Sequence, residues 1–96
     1  MNEKEVTIKF FGRFRELTSR KEYSLAPGRA KKVNDALKAL QDEVEGLRDE
    51  FLDENGNLLS RVNVFINGEN ILAKSGLDTG LKGGDTLAIF PPMGGG

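Results

Sequence analysis

The sequence predicts an α+β fold in which one main helix packs across a mixed β-sheet. Three separate segments alternate apolar and polar residues, as half-buried strands do, whereas one longer segment carries apolar residues at helical spacing. The length of 96 residues allows a single modest core. With 38% apolar and 30% charged residues, the composition is typical of a folded globular protein.

The first two strands are predicted to form a hairpin. The first strand ends at Gly12, and two sets of residues alternate along it: Val6, Ile8 and Phe10 against Thr7, Lys9 and Phe11. Residues 13–20 are predicted to be a polar connection, because they show no clear period. Residues 22–26 are predicted to form the second strand, which ends where Pro27-Gly28 interrupts pairing.

The main helix is predicted to begin near Val33. Asn34 is its candidate N-cap, since the side chain can accept from first-turn amides, and Asp35 suits the positive end of the helix dipole. The acidic residues of this segment are interpreted as a solvated helix face rather than a catalytic pair or metal site. Apolar residues recur at helical spacing and continue past Gly46: Val33, Ala36, Leu37, Leu40, Val44, Leu47, Phe51 and Leu52.

The second half of the chain is predicted to contain three strands. Residues 62–66 alternate as a strand, and the turn signal Asn67-Gly68 returns the chain into a short strand near residues 69–72. The polar, glycine-rich segment 75–85 is predicted to be a loop that covers the core with two leucines, Leu77 and Leu81.

The last strand is predicted at residues 86–90 and ends at Pro91-Pro92, because proline has no N–H group to donate. A helix packed across a mixed sheet buries the apolar residues of these strands and of the helix when the first and last strands lie side by side and parallel. This is the β-grasp, or ubiquitin-like, architecture. We expect a domain over residues 1–92 and a flexible glycine tail over residues 93–96.

The composition also excludes several functions. The chain contains no Cys and no His, which removes thiolate nucleophiles, disulfides, Cys or His zinc sites and imidazole bases. A net charge of -1 provides no field to attract nucleic acid or an anionic membrane. Because the apolar runs are short and the N-terminus is charged, we expect neither a membrane span nor a signal peptide, and a cytoplasmic location.

The C-terminal segment is the most informative part of the sequence. Pro91 and Pro92 favour an extended chain, and beyond Met93 three glycines add no side-chain bulk: Gly94, Gly95 and Gly96. A terminal carboxylate becomes an acyl donor once it attacks the α-phosphate of ATP and forms an acyl-adenylate. Sulfide could then produce a thiocarboxylate, or an amine could produce an amide. A bare glycine tail is more often a linker, but a linker need not follow a strand and two prolines.

Strand alternation also predicts an exposed apolar surface beside this tail. If Val64 and Leu87 point toward the helix, then Phe65, Ala88 and Phe90 lie on the opposite face. We interpret these three residues as a docking patch for a partner protein. The alternative is that a loop covers them.

The chain resembles the small subunit of molybdopterin synthase and related sulfur carriers, the MoaD/ThiS group, which includes the small archaeal modifier proteins. The resemblance covers nearly the whole chain. It depends on three segments: IKFFGRFRELT at residues 8–18, VFING at residues 64–68 and LKGGDTLAIFPPM, followed by the glycine end, at residues 81–93.

The resemblance implies that the last two glycines, Gly95 and Gly96, are the functional pair. It further implies that a ubiquitin-activating-type enzyme consumes ATP to adenylate the terminal carboxylate of Gly96, which is then thiocarboxylated. Sulfur would pass to the molybdopterin synthase large subunit. The protein would bind no cofactor and would be a carrier rather than an enzyme. Gly94 occupies a position that varies in the family, and Lys32 lies where relatives often have a capping Thr.

Three alternatives remain open. The activated Gly96 could be joined to lysines of target proteins, as in the archaeal modifiers, or it could supply sulfur for transfer RNA thiolation. A third alternative belongs to another class, a ubiquitin-like interaction domain whose tail is never activated. Chemistry at the terminal carboxylate separates this class from the other two.

Overall fold

The computed structural model of the protein describes residues 4–26, 28–44, 46–60 and 62–91. None of the helices in these ranges has the length and apolar composition needed to cross a bilayer. The helices are α1 (Arg13–Thr18), α2 (Val33–Glu43) and α3 (Arg48–Phe51). The strands are β1 (Val6–Phe10), β2 (Glu22–Leu25), β3 (Asn63–Ile66), β4 (Glu69–Asn70) and β5 (Thr86–Phe90).

The five strands form one mixed sheet in the order β2-β1-β5-β3-β4. β1 pairs antiparallel with β2 and parallel with β5, so the first and last strands lie side by side at the centre, as predicted. β3 pairs antiparallel with both β5 and β4. With α2 packed across one face, this arrangement confirms the predicted β-grasp fold.

The core lies between one face of the sheet and the apolar side of α2. Ile8, Leu87 and Ile89 on the two central strands are completely buried, and Ala36 and Leu40 of α2 cover them from the helix side. Burying a large aliphatic side chain stabilises the fold by about 1.5–3 kcal/mol. The period of two in the strands and of 3.6 in the helix therefore brings these elements together.

α2 begins where it was predicted to begin, but its capping residue differs from the prediction. The helix begins at Val33, so Asn34 lies inside the first turn and the prediction that it is the N-cap is wrong. Asp35 makes the cap contact instead. Its carboxylate accepts hydrogen bonds from the backbone N–H groups of Lys31 and Lys32 at 3.1 and 3.2 Å. The negative charge also lies at the positive end of the helix dipole, as predicted.

The apolar run beyond α2 belongs to a second helix. α2 ends at Glu43, and Gly46 has a φ of 84°, a left-handed conformation that glycine adopts without strain. This break separates α2 from α3, whose Phe51 is buried in the core. Helical spacing predicted the burial of Phe51 correctly, but it could not place the break between the two helices.

The segment between β1 and β2 is helix α1, and the prediction of a polar connection is wrong. α1 buries Phe14, whose ring packs edge-on against Phe51 with centroids 5.1 Å apart. Thr18, one turn later, donates its hydroxyl to the carbonyl oxygen of Phe14 at 2.8 Å. A six-residue helix with one buried aromatic residue has no apolar period, so its sequence carries no helical pattern.

Four strands are shorter than predicted: β1 ends at Phe10 instead of Phe11, β3 begins at Asn63 instead of Val62, and β2 and β4 end early. β2 ends at Leu25, one residue early. β4 ends at Asn70, whose side-chain oxygen accepts from the N–H group of Leu72 at 2.9 Å and caps a 3₁₀ turn at Ile71–Ala73. The loop before β5 contributes two leucines that pack on the core, as predicted: Leu77 and Leu81.

Candidate functional site

The segment that leads into the predicted tail begins at the centre of the sheet. β5 lies between β1 and β3, and because β5 is parallel to β1, the carboxyl ends of these two strands are adjacent. Pro91 follows β5 directly and is half-buried. The predicted boundary between residues 92 and 93 lies outside the described residues and stays a prediction. The same holds for the site residues predicted beyond Pro91: Pro92, Met93, Gly94, Gly95 and Gly96.

The predicted patch residues lie on the face of the sheet opposite α2. Phe65 of β3 is directly opposite Ala88 of β5 in the antiparallel pair, and Phe90 lies two residues further along β5. All three side chains are half-buried, whereas their neighbours Val64 and Ile89 are fully buried on the helix side. The predicted orientation is therefore confirmed, and the role in docking stays a prediction.

Three phenylalanines form a continuous aromatic cluster on this face. The rings of Phe65 and Phe90 meet edge to face with centroids 5.5 Å apart. The rings of Phe11 and Phe90 are stacked, with centroids 4.4 Å apart and planes 11° from parallel. The guanidinium of Arg15 lies 5.7 Å from the centroid of Phe11, within the range of a cation–π contact. We call Phe11, Phe65, Ala88 and Phe90 the aromatic face.

An open groove of about 620 Å³ runs along this surface. Apolar side chains provide most of its walls, and the side chains of its lining residues carry no ionisable group. This composition suits the burial of an apolar segment of a partner, since such contacts gain roughly 25 cal/mol per Å² of apolar surface removed from water. The lining residues are Asn63, Phe65, Asn67, Gly68, Thr86, Ala88 and Phe90.

A hydrogen-bonded network holds the end of the groove that is furthest from the tail. The side-chain amide of Asn67 donates to the buried carboxylate of Asp85 at 3.0 Å, and its oxygen accepts from the N–H group of Thr86 at 2.9 Å. The second carboxylate oxygen of Asp85 accepts from the N–H group of Lys82 at 2.9 Å. This network ties the turn after β3 to the start of β5 and stabilises this end of the groove.

The positive side chains near the aromatic face lie on its β1 side. Lys9 is exposed and paired in register with Ala88, and Arg15 also donates to the carbonyl oxygen of Phe10 at 3.3 Å. A partner that carries an acidic group beside an apolar segment would therefore meet a cation at this border. Among the described residues, no group of three or more His, Cys, Asp and Glu could hold a metal ion.

Among the side chains that the structure describes, one titratable group has a shifted pKa, and it lies on the other face of the sheet. The hydroxyl of Tyr23 on β2 donates to the Glu43 carboxylate at 2.8 Å, and this hydrogen bond raises the pKa of Tyr23 above its usual value. Burial and the negative charge of Glu43 raise this pKa further. Tyr23 packs against the core, and its hydrogen bond to Glu43 joins β2 to α2.

The sequence reasoning missed two residues of this site. Phe11 directly follows β1 and continues its alternation at an outward position. This outward position beside the inward Phe10 was the signal that could have identified Phe11 as a surface residue. Gly12 was interpreted only as the end of a strand. Its backbone lies close to Pro91, since a Cβ atom at residue 12 would be 2.6 Å from Cγ of Pro91, and no local pattern can reveal such a long-range approach.

The fold and the site together define a ubiquitin-like domain with an exposed apolar face beside the start of its C-terminal tail. The sequence model of the ThiS family matches residues 8–96, and the chain belongs to this family. The structural comparisons also place it among the ubiquitin-like sulfur carriers and small archaeal modifiers, as the sequence resemblance predicted.

Three relatives illustrate the similarity. Small archaeal modifier protein 3 of Haloferax volcanii is 34% identical over 92 residues, which cover 96% of this chain and 99% of that protein. The solution structure of small archaeal modifier protein 1 from Methanosarcina acetivorans is 34% identical with a TM-score of 0.82, covering 100% of both chains. A Pyrococcus furiosus protein, provisionally assigned as molybdopterin converting factor subunit 1, is 29% identical with a TM-score of 0.69, covering 94% of this chain and 99% of that one.

Proposed function

We propose that this protein is a sulfur carrier whose terminal Gly96 is adenylated and thiocarboxylated to donate sulfur in molybdopterin biosynthesis. The observation that carries the proposal is the family match, which extends through the glycine segment to residue 96. The similarity to the Pyrococcus furiosus molybdopterin converting factor supports the choice of pathway. The protein supplies a reactive terminus, and a partner enzyme supplies the catalytic groups.

The chemistry proceeds in two balanced steps on the activating enzyme. A carboxylate oxygen of Gly96 attacks the α-phosphorus of ATP, the bond to the β-phosphate oxygen breaks, and pyrophosphate leaves. A hydrosulfide then attacks the carbonyl carbon, a C–S bond forms, AMP leaves with its bonding electron pair, and the sulfur gives up its proton to solvent. The thiocarboxylate stores the sulfur without any change of oxidation state, and ATP is consumed by the partner.

The aromatic face provides the docking surface in this proposal. Phe65 and Phe90 lie on the central strands, and β5 continues directly to Pro91 and the tail. A partner that covers the groove would therefore hold the domain while the tail enters its active site. Both an activating enzyme and a molybdopterin synthase large subunit would use this surface, so they would bind one at a time.

Protein modification is a second candidate function. It is favoured by the names of two relatives that each cover at least 96% of this chain, both of which are small archaeal modifier proteins. In this case a lysine amine of a target attacks the carbonyl carbon of the acyl-adenylate at Gly96, an amide bond forms, AMP leaves, and the amine gives up a proton to solvent. Transfer RNA thiolation would use the same thiocarboxylate with a different acceptor.

Intact-mass analysis of the protein recovered from its native cells tests these proposals. We expect a fraction of the molecules to carry the mass of one oxygen-to-sulfur exchange, placed at Gly96 by fragmentation. Remnants of the C-terminus linked to lysines of other proteins would favour the modifier function. If the protein carries neither mark in cells whose growth requires molybdenum cofactor, both proposed functions are contradicted. The remaining function is then that of an interaction domain whose tail is never activated.

Two variants serve as controls. Deleting Gly95 and Gly96 should abolish the sulfur mark while thermal unfolding stays nearly unchanged, because residues of a terminal glycine tail bury little core surface. Appending one alanine after Gly96 keeps every native residue but moves the carboxylate away from glycine. We expect this variant to lose the mark too, whereas an undiminished mark in either variant would contradict the assignment of Gly96.

A further inference from the structure

The corner between β1 and α1 is in direct contact with the start of the tail. The N–H group of Phe11 donates to the carbonyl oxygen of Ile89 at 3.2 Å, which extends the parallel pairing beyond the end of β1. The ring of Phe11 stacks on Phe90, as described above. The backbone of Gly12 then approaches the ring of Pro91 so closely that a Cβ atom at residue 12 would overlap it. Two residues of the corner therefore contact the last residue of β5 and the one after it.

Gly12 has a conformation and a location that exclude other residues. Its φ of 58° and ψ of -135° lie in a region that essentially only glycine occupies. A Cβ atom at this position would lie 2.6 Å from Cγ and 3.2 Å from Cδ of Pro91. The pyrrolidine ring is closed onto the backbone nitrogen, so it cannot rotate away as an open side chain can. A side chain at residue 12 would therefore displace the backbone at Pro91.

We propose that Gly12 is a positioning residue for the C-terminal tail. By leaving bare backbone against the ring of Pro91, it sets the direction in which the chain leaves the sheet. Because φ of proline is fixed near -65°, the placement of this ring also orients the peptide that follows. The inference rests on the proposed function, since it explains how a domain without catalytic groups presents its terminus to an enzyme.

A purely local role for Gly12 makes a different prediction. If residue 12 had to be glycine only because of its positive φ, Gly12→Ala would have the same effect as a Gly→Ala substitution at another position of similar φ. Gly76 is a matched control, because its φ is 59° and a Cβ there would meet no atom within 4 Å. Comparing Gly12→Ala with Gly76→Ala therefore removes the cost of a positive φ, and the double-mutant cycle with Pro91→Ala isolates the contact itself.

Paramagnetic relaxation measures the tail direction without any enzyme. The chain has no cysteine, so a Lys9→Cys substitution carries a single nitroxide at an exposed side-chain position of β1, in register with Ala88. We expect Gly12→Ala to change the broadening of the amide signals of residues 93–96 well beyond any change caused by Gly76→Ala. A folded Gly12→Ala protein with the wild-type broadening profile would overturn the proposal.

A double-mutant cycle with Pro91→Ala tests the contact itself. Alanine at residue 91 lacks Cγ and Cδ, and its Cβ would lie 3.8 Å from the Cβ of residue 12, an ordinary contact distance. The effect of Gly12→Ala on the broadening profile should therefore vanish when residue 91 is alanine. Equal effects in both backgrounds would overturn the proposal. If Gly12→Ala does not fold, Pro91→Ala alone decides, because an unchanged profile in that variant also contradicts it.

The thiocarboxylated fraction in native cells connects this geometry to function. We expect Gly12→Ala to lower the fraction about tenfold or more relative to Gly76→Ala, since small misplacements of a reacting group are costly. Equal fractions in the two variants would overturn the positioning role. If the wild-type protein carries no sulfur, the proposed function fails, whereas the relaxation measurement still tests the direction of the chain.

Discussion

The two faces of the sheet use the same strands for different purposes. Toward α2, Val64 and Ile89 are completely buried and belong to one continuous core. On the opposite face, Phe65 and Phe90 are half-buried and line an open groove. Adjacent residues of one strand therefore differ in environment only because their side chains point to opposite sides.

This difference predicts that stability and partner recognition depend on opposite faces of the sheet. A chain of this size has one core, and the helix side of the sheet supplies it. The aromatic face adds little to that core, so its residues can serve a partner without being needed for folding. Substitutions on the two faces should consequently have opposite effects on unfolding and on binding.

The largest expected effect is on the helix face. Ile89→Ala removes a completely buried side chain from the central strand, and we expect unfolding free energy to fall by about 2–5 kcal/mol. Denaturant unfolding followed by circular dichroism measures this loss. Binding of a partner per folded molecule should stay unchanged. A loss below about 1 kcal/mol would show that the core does not depend on this face in the way the burial indicates.

An intermediate effect of opposite kind is expected for Phe65→Ala. Because this ring is half-buried, the stability loss should be far below the ~3–5 kcal/mol of a buried Phe truncation. Affinity for the activating enzyme or the molybdopterin synthase large subunit should weaken by about 1 kcal/mol or more, as at an interface anchor. Calorimetric titration and denaturant unfolding of the same variant provide the two numbers.

Leu72→Ala is the matched control for Phe65→Ala. Leu72 is 74% exposed and does not line the groove, so its truncation should alter neither affinity nor stability appreciably. If both variants weakened binding equally, the partner would not recognise the groove in particular. If Phe65→Ala lost stability but kept its affinity, the docking role of the aromatic face would have to be abandoned.

The smallest effect is expected at the polar edge of the buried face. Tyr23→Phe removes the hydrogen bond to Glu43. Because this bond is exposed to solvent, the loss of stability should be below about 1 kcal/mol. The pKa of Tyr23 is raised in the folded protein, so the neutral hydroxyl stabilises the fold fully below the usual tyrosine pKa. This stabilisation is lost as pH rises through the raised pKa. Unfolding curves of both proteins should therefore converge at high pH, and a gap that widens there would contradict this sign.

The sequence was most informative where a pattern repeats. Alternation in β1, β3 and β5 predicted their faces correctly, including the outward position of Phe65 and Phe90. The same reasoning failed for α1, because one buried phenylalanine in six residues forms no pattern. It also joined α2 and α3, since helical spacing continues across the break at Gly46 and only the backbone conformation reveals that break.

The sequence by itself determined the class of fold, the two faces of the sheet and the glycine end that carries the proposed chemistry. Each follows from local order along the chain, because side-chain direction repeats every two residues in a strand and apolar burial selects one side. Only the tertiary structure brought Gly12 against Pro91 and Phe11 onto Phe90. These contacts join residues about eighty positions apart, and they exist because β1 and β5 pair in parallel, so that the corner after one strand meets the start of the tail after the other.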